Sequence, residues 1–220
     1  MSTRFSRVET RVVFRCRPVV ACRRGVRRER VVSGGRPVAM WPWEHVAFGY
    51  LLYSLREHLW NRRRPADHHV VALGVGSVFP DLVDKPLSWS LGLLPTGLSF
   101  AHSLLFATPG LVAVFLLARN RGDATAGVAF GVGYLSHLAG DALYPLFTGG
   151  RVGYRFLVWP VYGSGPPVEP GLVSRVSFHL SDFGTFLGTP LGRLYLLAEV
   201  VSLSAAFLLW AWDGFPGPGV

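Results

Sequence analysis

The feature that most constrains this chain is a series of apolar segments, each long enough for a helix. The segments are residues 43–60, 67–80, 101–118, 124–147 and 190–212. Half of all residues are hydrophobic and only 16% are charged, below the roughly 25% that is usual for soluble domains. Such a composition is typical of helices that are buried in lipid. The sequence therefore predicts an all-α, multi-helix transmembrane bundle, with about four to five apolar helices, in the cell membrane.

Two segments depart from a simple row of membrane spans. Residues 67–80 are short for a full span, which needs about 20 residues, so we expect this helix to be tilted, re-entrant or covered by its neighbours. Residues 148–189 are rich in Gly and Pro and predict a long outer loop. In the fourth segment, Gly127 and Gly131 form a small-residue pair that favours close helix packing in lipid.

The net positive charge of the chain comes from its first 39 residues. Residues 1–39 hold 11 Arg and two Glu, whereas residues 40–220 hold equal numbers of basic and acidic side chains. The body therefore lacks the basic balance that indicates nucleic-acid binding. We interpret residues 1–39 as a basic, disordered leader, with Met40 favoured as the true start; an arm for nucleic acid or anionic lipid is the alternative. Both cysteines, Cys16 and Cys22, lie in it, so the body has no thiolate metal site.

Ionisable side chains recur in or beside the apolar segments, where they are costly and indicate a functional site by default. His137 and Asp141 are four residues apart, so they share one face of the fourth helix. Imidazole nitrogen and carboxylate oxygen suit zinc, with manganese or iron as alternatives. The other candidates are His45 near the start of the first helix, Asp81 and Asp84 just after the second, and His102 at the start of the third.

The basic residues of the body predict that these candidates share one end of the bundle. Arg62–Arg64 follow the first helix, and Arg119 and Arg121 follow the third. The positive-inside rule places both of those ends in the cytoplasm, so the candidate residues fall together on the other side. The arginines of the leader, if present, favour the inverted orientation, with the site still together but facing the cytoplasm. His58, His68 and His69, near the basic run, are expected to be solvated.

Four short motifs carry a family resemblance. They are EHVAFGY around His45, FPDLVDK with Asp81 and Asp84, SFAHSLL with His102, and GYLSHLAGD with His137 and Asp141. In this combination the chain resembles the YdjM-type membrane-bound metal-dependent hydrolases over roughly residues 40–160. That family is in turn distantly similar to the zinc-dependent phospholipase C and P1 nuclease group.

The resemblance implies a metal site and its ligands. Asp81, His102, His137 and Asp141 would bind one metal, with zinc as the expected ion, and His45 would bind a neighbouring metal or line the pocket. The sequence lacks a second His-x3-Glu helix segment of the kind that completes a three-metal cluster, so one or two metals are expected. His179 and Asp182 of the outer loop are weaker candidates for a lid or a second-metal ligand.

The predicted chemistry is metal-assisted hydrolysis. A bound ion lowers the pKa of water toward about 7, and Asp81 or Asp84 would accept the proton. A position at the membrane–water border suits a phosphoester or lipid-like substrate, with membrane lipid as partner. Two other classes stay open: a non-enzymatic membrane protein that uses the His/Asp cluster for cation or proton handling, and a structural bundle whose polar side chains connect its helices.

Overall fold

The computed structural model describes residues 40–163, 165 and 171–218. The chain divides into two units, residues 1–32 and 33–220, and every described residue belongs to the second. The predicted leader lies outside the described residues. The described part of the chain is all helical, which confirms the all-α prediction. Its six α-helices are α1 (Pro42–Arg56), α2 (Asp67–Lys85), α3 (Leu104–Asn120), α4 (Ala124–Phe147), α5 (Leu172–Leu187) and α6 (Pro190–Trp212).

The starts of the later helices follow from capping side chains. The Asp123 carboxylate accepts a hydrogen bond from the Ala126 amide (3.0 Å) at the start of α4. The Thr189 hydroxyl accepts one from the Gly192 amide (3.0 Å) at the start of α6, where Pro190 occupies the first helical position and needs no N–H partner. These signals explain why α4 and α6 have the bounds that the sequence predicts.

The second helix is longer than predicted. It continues through Pro80 for another turn and ends at Lys85, which gives it 19 residues. A proline removes one intrahelical hydrogen bond but leaves the next turn free to form. Here that turn is stabilised by backbone amides of the following connection, which donate to Asp84. Asp81 and Asp84 therefore lie on α2 rather than just after it.

Glycines bring α2 and α4 close together. A Cβ atom on Gly76 would lie 2.2 Å from the carbonyl oxygen of Phe130, and one on Gly133 would lie 2.2 Å from that of Leu73. Both distances are far inside van der Waals contact, so neither position accepts a side chain without moving the helices apart. This contact places the last turns of α2 beside the His137 turn of α4.

Of the predicted pair of small residues in α4, Gly127 packs against another helix and Gly131 does not. Gly127 contacts α3, where an added Cβ would lie 3.0 Å from the Cα atom of Phe115. Gly131 faces open space, with nothing within 4 Å of its Cβ position. The four-residue spacing of Gly127 and Gly131 is visible in the sequence. Which face of α4 meets another helix depends on how each helix is rotated about its axis, and the sequence does not specify that rotation.

The predicted outer loop contains a helix. Residues 148–189 include α5 and a short 3-10 turn at Arg155–Val158, so the prediction of an uninterrupted loop is wrong. Gly and Pro are frequent on both sides of α5, and Gly184 within it does not interrupt the helix. Leu172, Val176 and Leu180 recur every four residues, close to the 3.6-residue period of a helix. The side chains of α5 are exposed or half-buried. The Gly and Pro content of residues 148–189 made the composition of this segment resemble that of a loop.

Membrane-crossing ability differs among the helices. Among the described residues, α6 is the one helix long and apolar enough to cross a membrane, with 23 residues and a mean hydropathy of 1.9. The α3 helix is apolar but has only 17 residues. The structure therefore identifies one candidate span, and the predicted four to five spans stay a prediction.

Candidate metal centre

Four of the predicted ligands converge at one end of the bundle. The side chains of Asp81 on α2, His102 in the connection before α3, and His137 and Asp141 on α4 offer ligand atoms that all lie within 4.8 Å of one another. All are buried except Asp141, which is 11% exposed. The parallel course of α2 and α4 brings the end of one beside the end of the other, as the positions of the basic residues predicted.

The tautomers of the two histidines follow from their outer contacts. Nδ1 of His137 donates to the carbonyl oxygen of Ser77 (2.7 Å), and Nδ1 of His102 donates to Asp84 (2.8 Å). Each neutral ring then presents a lone pair on Nε2, and the two Nε2 atoms are only 3.1 Å apart. Two facing lone pairs repel, so a proton or a metal ion is required between them.

The carboxylates of Asp141 and Asp81 lie beside the same two Nε2 atoms. Oδ2 of Asp141 lies 3.3 Å from Nε2 of both histidines. Oδ1 of Asp81 lies 3.6 Å from Nε2 of His102 and 3.8 Å from that of His137. Zinc bonds of about 2.0–2.2 Å in a tetrahedron place ligand atoms about 3.3–3.6 Å apart, close to these separations. The donor set and its spacing therefore fit a divalent metal.

Asp84 holds the connection that carries His102. Its carboxylate accepts hydrogen bonds from the backbone amides of Ser99 (2.8 Å), Ala101 (2.8 Å) and His102 (3.2 Å), besides the ring of His102. It is fully buried, and both oxygens are occupied by donors. These contacts favour a positioning role for Asp84, and its predicted role as proton acceptor stays a prediction.

His45 lies beside the four ligands without joining them. Its ring stacks on that of His137, with centroids 3.7 Å apart and planes 20° apart, and its Nε2 is 3.5 Å from Oδ1 of Asp141. Neither of its ring nitrogens has a hydrogen-bond partner in the described part of the chain. The position fits both parts of the prediction for His45, a ligand of a neighbouring metal or a wall of the pocket.

Unpartnered buried atoms concentrate around this centre. Both ring nitrogens of His45 and Oδ1 of Asp81 are buried and have no hydrogen-bond partner among the described residues. A buried polar atom without a partner costs about 1–3 kcal/mol. Such atoms persist where a ligand or an ion supplies the missing interaction.

The neighbouring carboxylates also control the protonation of His102. Burial lowers the pKa of this imidazole, but the nearby carboxylates of Asp141, Asp81 and Asp84 outweigh burial and raise the pKa to about 10. The centre attracts positive charge.

Comparison with known protein families matches residues 40–214 to the family described as YdjM inner membrane protein. The match covers most of the chain. This chain belongs to the YdjM family. The family resemblance that the motifs predicted is confirmed, and membership indicates a membrane location. Neither the curated proteins nor the solved structures give a match, and the distant similarity to phospholipase C and P1 nuclease stays a prediction.

The metal centre of this YdjM-family chain opens into a cavity of about 520 Å³. Asp81 and Asp141 are among the residues that line the cavity. Its other ionisable lining residues are Lys85, Arg155, Arg175 and His179. Predicted as a lid or second-metal residue, His179 stacks on Trp89 (5.4 Å between centroids) and lies outside the four-ligand group.

The basic residues that line this cavity were not predicted from the sequence. Lys85 is the single lysine of the chain and forms an ion pair with Asp81 one helical turn earlier. Its i,i+4 spacing from Asp81 was a usable signal. Arg155 offered no such signal, because its approach to the cavity depends on the fold of the connection after α4.

Proposed function

We propose that this chain is a membrane-bound metal-dependent hydrolase whose His/Asp centre activates water for attack on phosphoester or lipid-like substrates. The observation that carries the proposal is the convergence of two Nε2 lone pairs and two carboxylates beside a cavity large enough for a substrate group. Zinc is the expected ion, because its ligands in proteins are imidazole nitrogens and carboxylate oxygens in sets of this size.

The residues of the chain prepare the centre in distinct ways. Asp81, His102, His137 and Asp141 would hold the ion, which would supply a Lewis acid and lower the pKa of a water bound in addition to these four ligands. Asp84 and the Ser77 carbonyl fix the two imidazoles so that Nε2 points inward. Of the two predicted proton acceptors, Asp81 is better placed than Asp84, because it lines the cavity and its Oδ1 has no hydrogen-bond partner in the described structure.

The proposed setting is a multi-pass bundle with the centre at the non-cytoplasmic border. Arg62–Arg64 follow α1, and Arg119 and Arg121 lie at the end of α3, both away from the metal centre. The positive-inside rule assigns those ends to the cytoplasm. Substrate at the opposite border would reach the cavity from the bilayer or from water. Reporter fusions after residue 64 and after residue 218 would test this orientation.

The test of hydrolysis uses the detergent-purified chain with phosphodiester and ester lipids, in the presence and absence of a chelator. We expect chelator-sensitive hydrolysis that is lost in His137→Ala. The matched control is His68→Ala, because His68 is 65% exposed and lies at the other end of α2. Hydrolysis that is unchanged in His137→Ala would contradict the proposal. Metal flux into proteoliposomes without hydrolysis would instead support cation handling.

A further inference from the structure

The cavity beside the metal centre has the charge of an anion-binding site. We call it the headgroup cavity; its volume is about 520 Å³. Its described lining residues include the cations Lys85, Arg155 and Arg175 and the carboxylates Asp81 and Asp141, with Lys85 ion-paired to Asp81. A divalent ion at the centre would make this lining strongly positive. Guanidinium groups and metal ions are the usual partners of phosphate oxygens.

A second, apolar cavity lies between α1, α4 and α6. This chain groove has a volume of about 660 Å³. Its lining is mostly apolar, with Phe48, Phe147, Leu194 and Ala198, and it also includes the carboxyl residues Glu44 and Glu199. One wall is α6, the helix that is long and apolar enough to cross a membrane. Its shape and lining suit an alkyl chain.

The two cavities adjoin at the metal centre. Met40 and Tyr144 line both the headgroup cavity and the chain groove. Gly140 lines the groove at this junction, where an added Cβ would lie 2.8 Å from Sδ of Met40 and 3.4 Å from Nδ1 of His45. The apolar groove therefore passes within one side chain of the metal centre.

We propose that one amphiphile occupies both cavities, with a phosphate head in the headgroup cavity and an alkyl chain in the chain groove. The inference rests on the proposed function for the role of the metal and adds the substrate class, a bilayer lipid with an anionic phosphate head. Charge complementarity selects the head, and the adjacency of the two cavities, which share Met40 and Tyr144 as lining residues, favours a molecule that has both parts. A free phosphate would use only the first cavity.

The test is photo-crosslinking in neutral detergent with a zinc-loaded protein. The probe is dodecyl phosphate with a diazirine at the end of its chain, and labelled residues are located by mass spectrometry. We expect labels on the groove walls, at Phe147, Leu194 or Ala198. Unlabelled dodecyl phosphate should compete at least about tenfold better than methyl phosphate, since only the former has the chain that the groove buries.

Two variants and one control separate the two parts of the site. Arg155→Gln removes a cation from the headgroup cavity and should reduce labelling about fivefold or more. Ala198→Trp fills the chain groove and should abolish labelling there. Leu197→Trp is the matched control, because Leu197 is 61% exposed on the same helix and does not line the groove; it should label like the wild type.

Three outcomes would overturn the inference. They are labels spread evenly over the exposed face of α6, labelling unaffected by both variants, and equal competition by methyl phosphate, which would indicate a free-phosphate site. Labelling does not depend on turnover. Groove labelling in a protein that hydrolyses nothing would therefore refute the proposed function while supporting the bound amphiphile.

Discussion

The two ends of the bundle differ in how their buried polar groups are paired. At the end that carries Arg62–Arg64, buried carboxylates accept hydrogen bonds from protein donors. At the metal-centre end, several buried ligand atoms have no such partner in the described structure. At the first, which we call the paired end, Glu57 is fully buried and accepts hydrogen bonds from Asn61 (2.8 Å) and Arg63 (2.7 Å), with Arg56 as a further partner. The Glu57 carboxylate therefore has three donors in the described part of the chain.

Asp213 repeats this arrangement at the same end. It follows α6 and accepts hydrogen bonds from Tyr50 (2.6 Å) and Ser54 (2.6 Å) of α1, and it pairs with His58 (2.7 Å). His69 is also buried and lies 3.1 Å from Asp123. The prediction of solvated histidines is therefore wrong for His69, because the start of α2 packs beside the start of α4.

The metal-centre end differs in what the protein leaves unsatisfied. His45 and Oδ1 of Asp81 have no hydrogen-bond partner in the described structure, and the Nε2 atoms of His102 and His137 face each other. Paired groups stabilise a fold without further ligands, whereas converging unpaired ligand atoms need a cation. The comparison teaches that residue type alone does not distinguish a structural His/Asp cluster from a metal centre; the outer partners do.

The largest expected effect is stabilisation by metal. Adding zinc to the metal-stripped chain should raise its thermal midpoint, with about 4 kcal/mol of stabilisation at a thousandfold excess over Kd. His137→Ala should lose this shift, because it removes one of the facing Nε2 atoms. Asp213→Asn, at the paired end, is the control and should keep it. Equal shifts in both variants would show that the two ends do not differ.

A substitution of Asp84 tests whether this carboxylate, whose two oxygens both accept hydrogen bonds, affects metal binding through His102. Asp84→Asn should weaken zinc binding about 10- to 100-fold, because an amide cannot accept all the hydrogen bonds that now fix this connection. Zinc titration with a competing chromophoric chelator measures the change. Asp67→Asn, at the start of the same helix, should bind zinc like the wild type. An unchanged affinity in Asp84→Asn would remove the positioning role.

Much of the centre could be predicted from the sequence, because its signals are local. The spacing of His137 and Asp141 places them on one helical face, and capping residues fixed the bounds of α4. The basic residues after α1 and α3 predicted that the candidates share one end. Family membership is likewise contained in four short motifs.

The remainder depends on contacts between distant segments. The separate contacts of Asp81 and Asp84 arise because α2 continues through Pro80 and meets amides from residues 99–102. Arg155 reaches the headgroup cavity only through the connection after α4. Close approach of α2 and α4 depends on Gly76 opposite Phe130, a pairing that no single segment encodes.

Glu57→Gln measures the contribution of the paired end. The substitution removes the charge that three donors share, and we expect a loss of about 1–3 kcal/mol in the free energy of unfolding. Zinc content should stay that of the wild type, since Glu57 is at the far end of α1 from His45. Denaturant unfolding in detergent gives the loss. A drop in zinc content without a drop in stability would reverse the roles assigned to the two ends.

Asp213→Asn should have a smaller effect that depends on pH. Burial raises the pKa of Asp213, but hydrogen bonds from Ser54, Tyr50 and His58 outweigh burial and hold it below the ordinary 3.8. Its stabilisation is therefore present above that ordinary value and is lost as pH falls through the lowered pKa. We expect a penalty of about 1–2 kcal/mol near pH 7 that shrinks below about pH 3.8. A penalty independent of pH would contradict a role for the charge.

The central claim is tested most directly by the metal content of the chain purified in detergent. Elemental analysis should find about one zinc per chain, or two if His45 binds a neighbouring ion, and less than a tenth of that in His137→Ala, with Glu57→Gln unchanged. A wild-type chain that holds no metal after exposure to zinc, or a His137→Ala chain that holds as much as the wild type, would contradict the account.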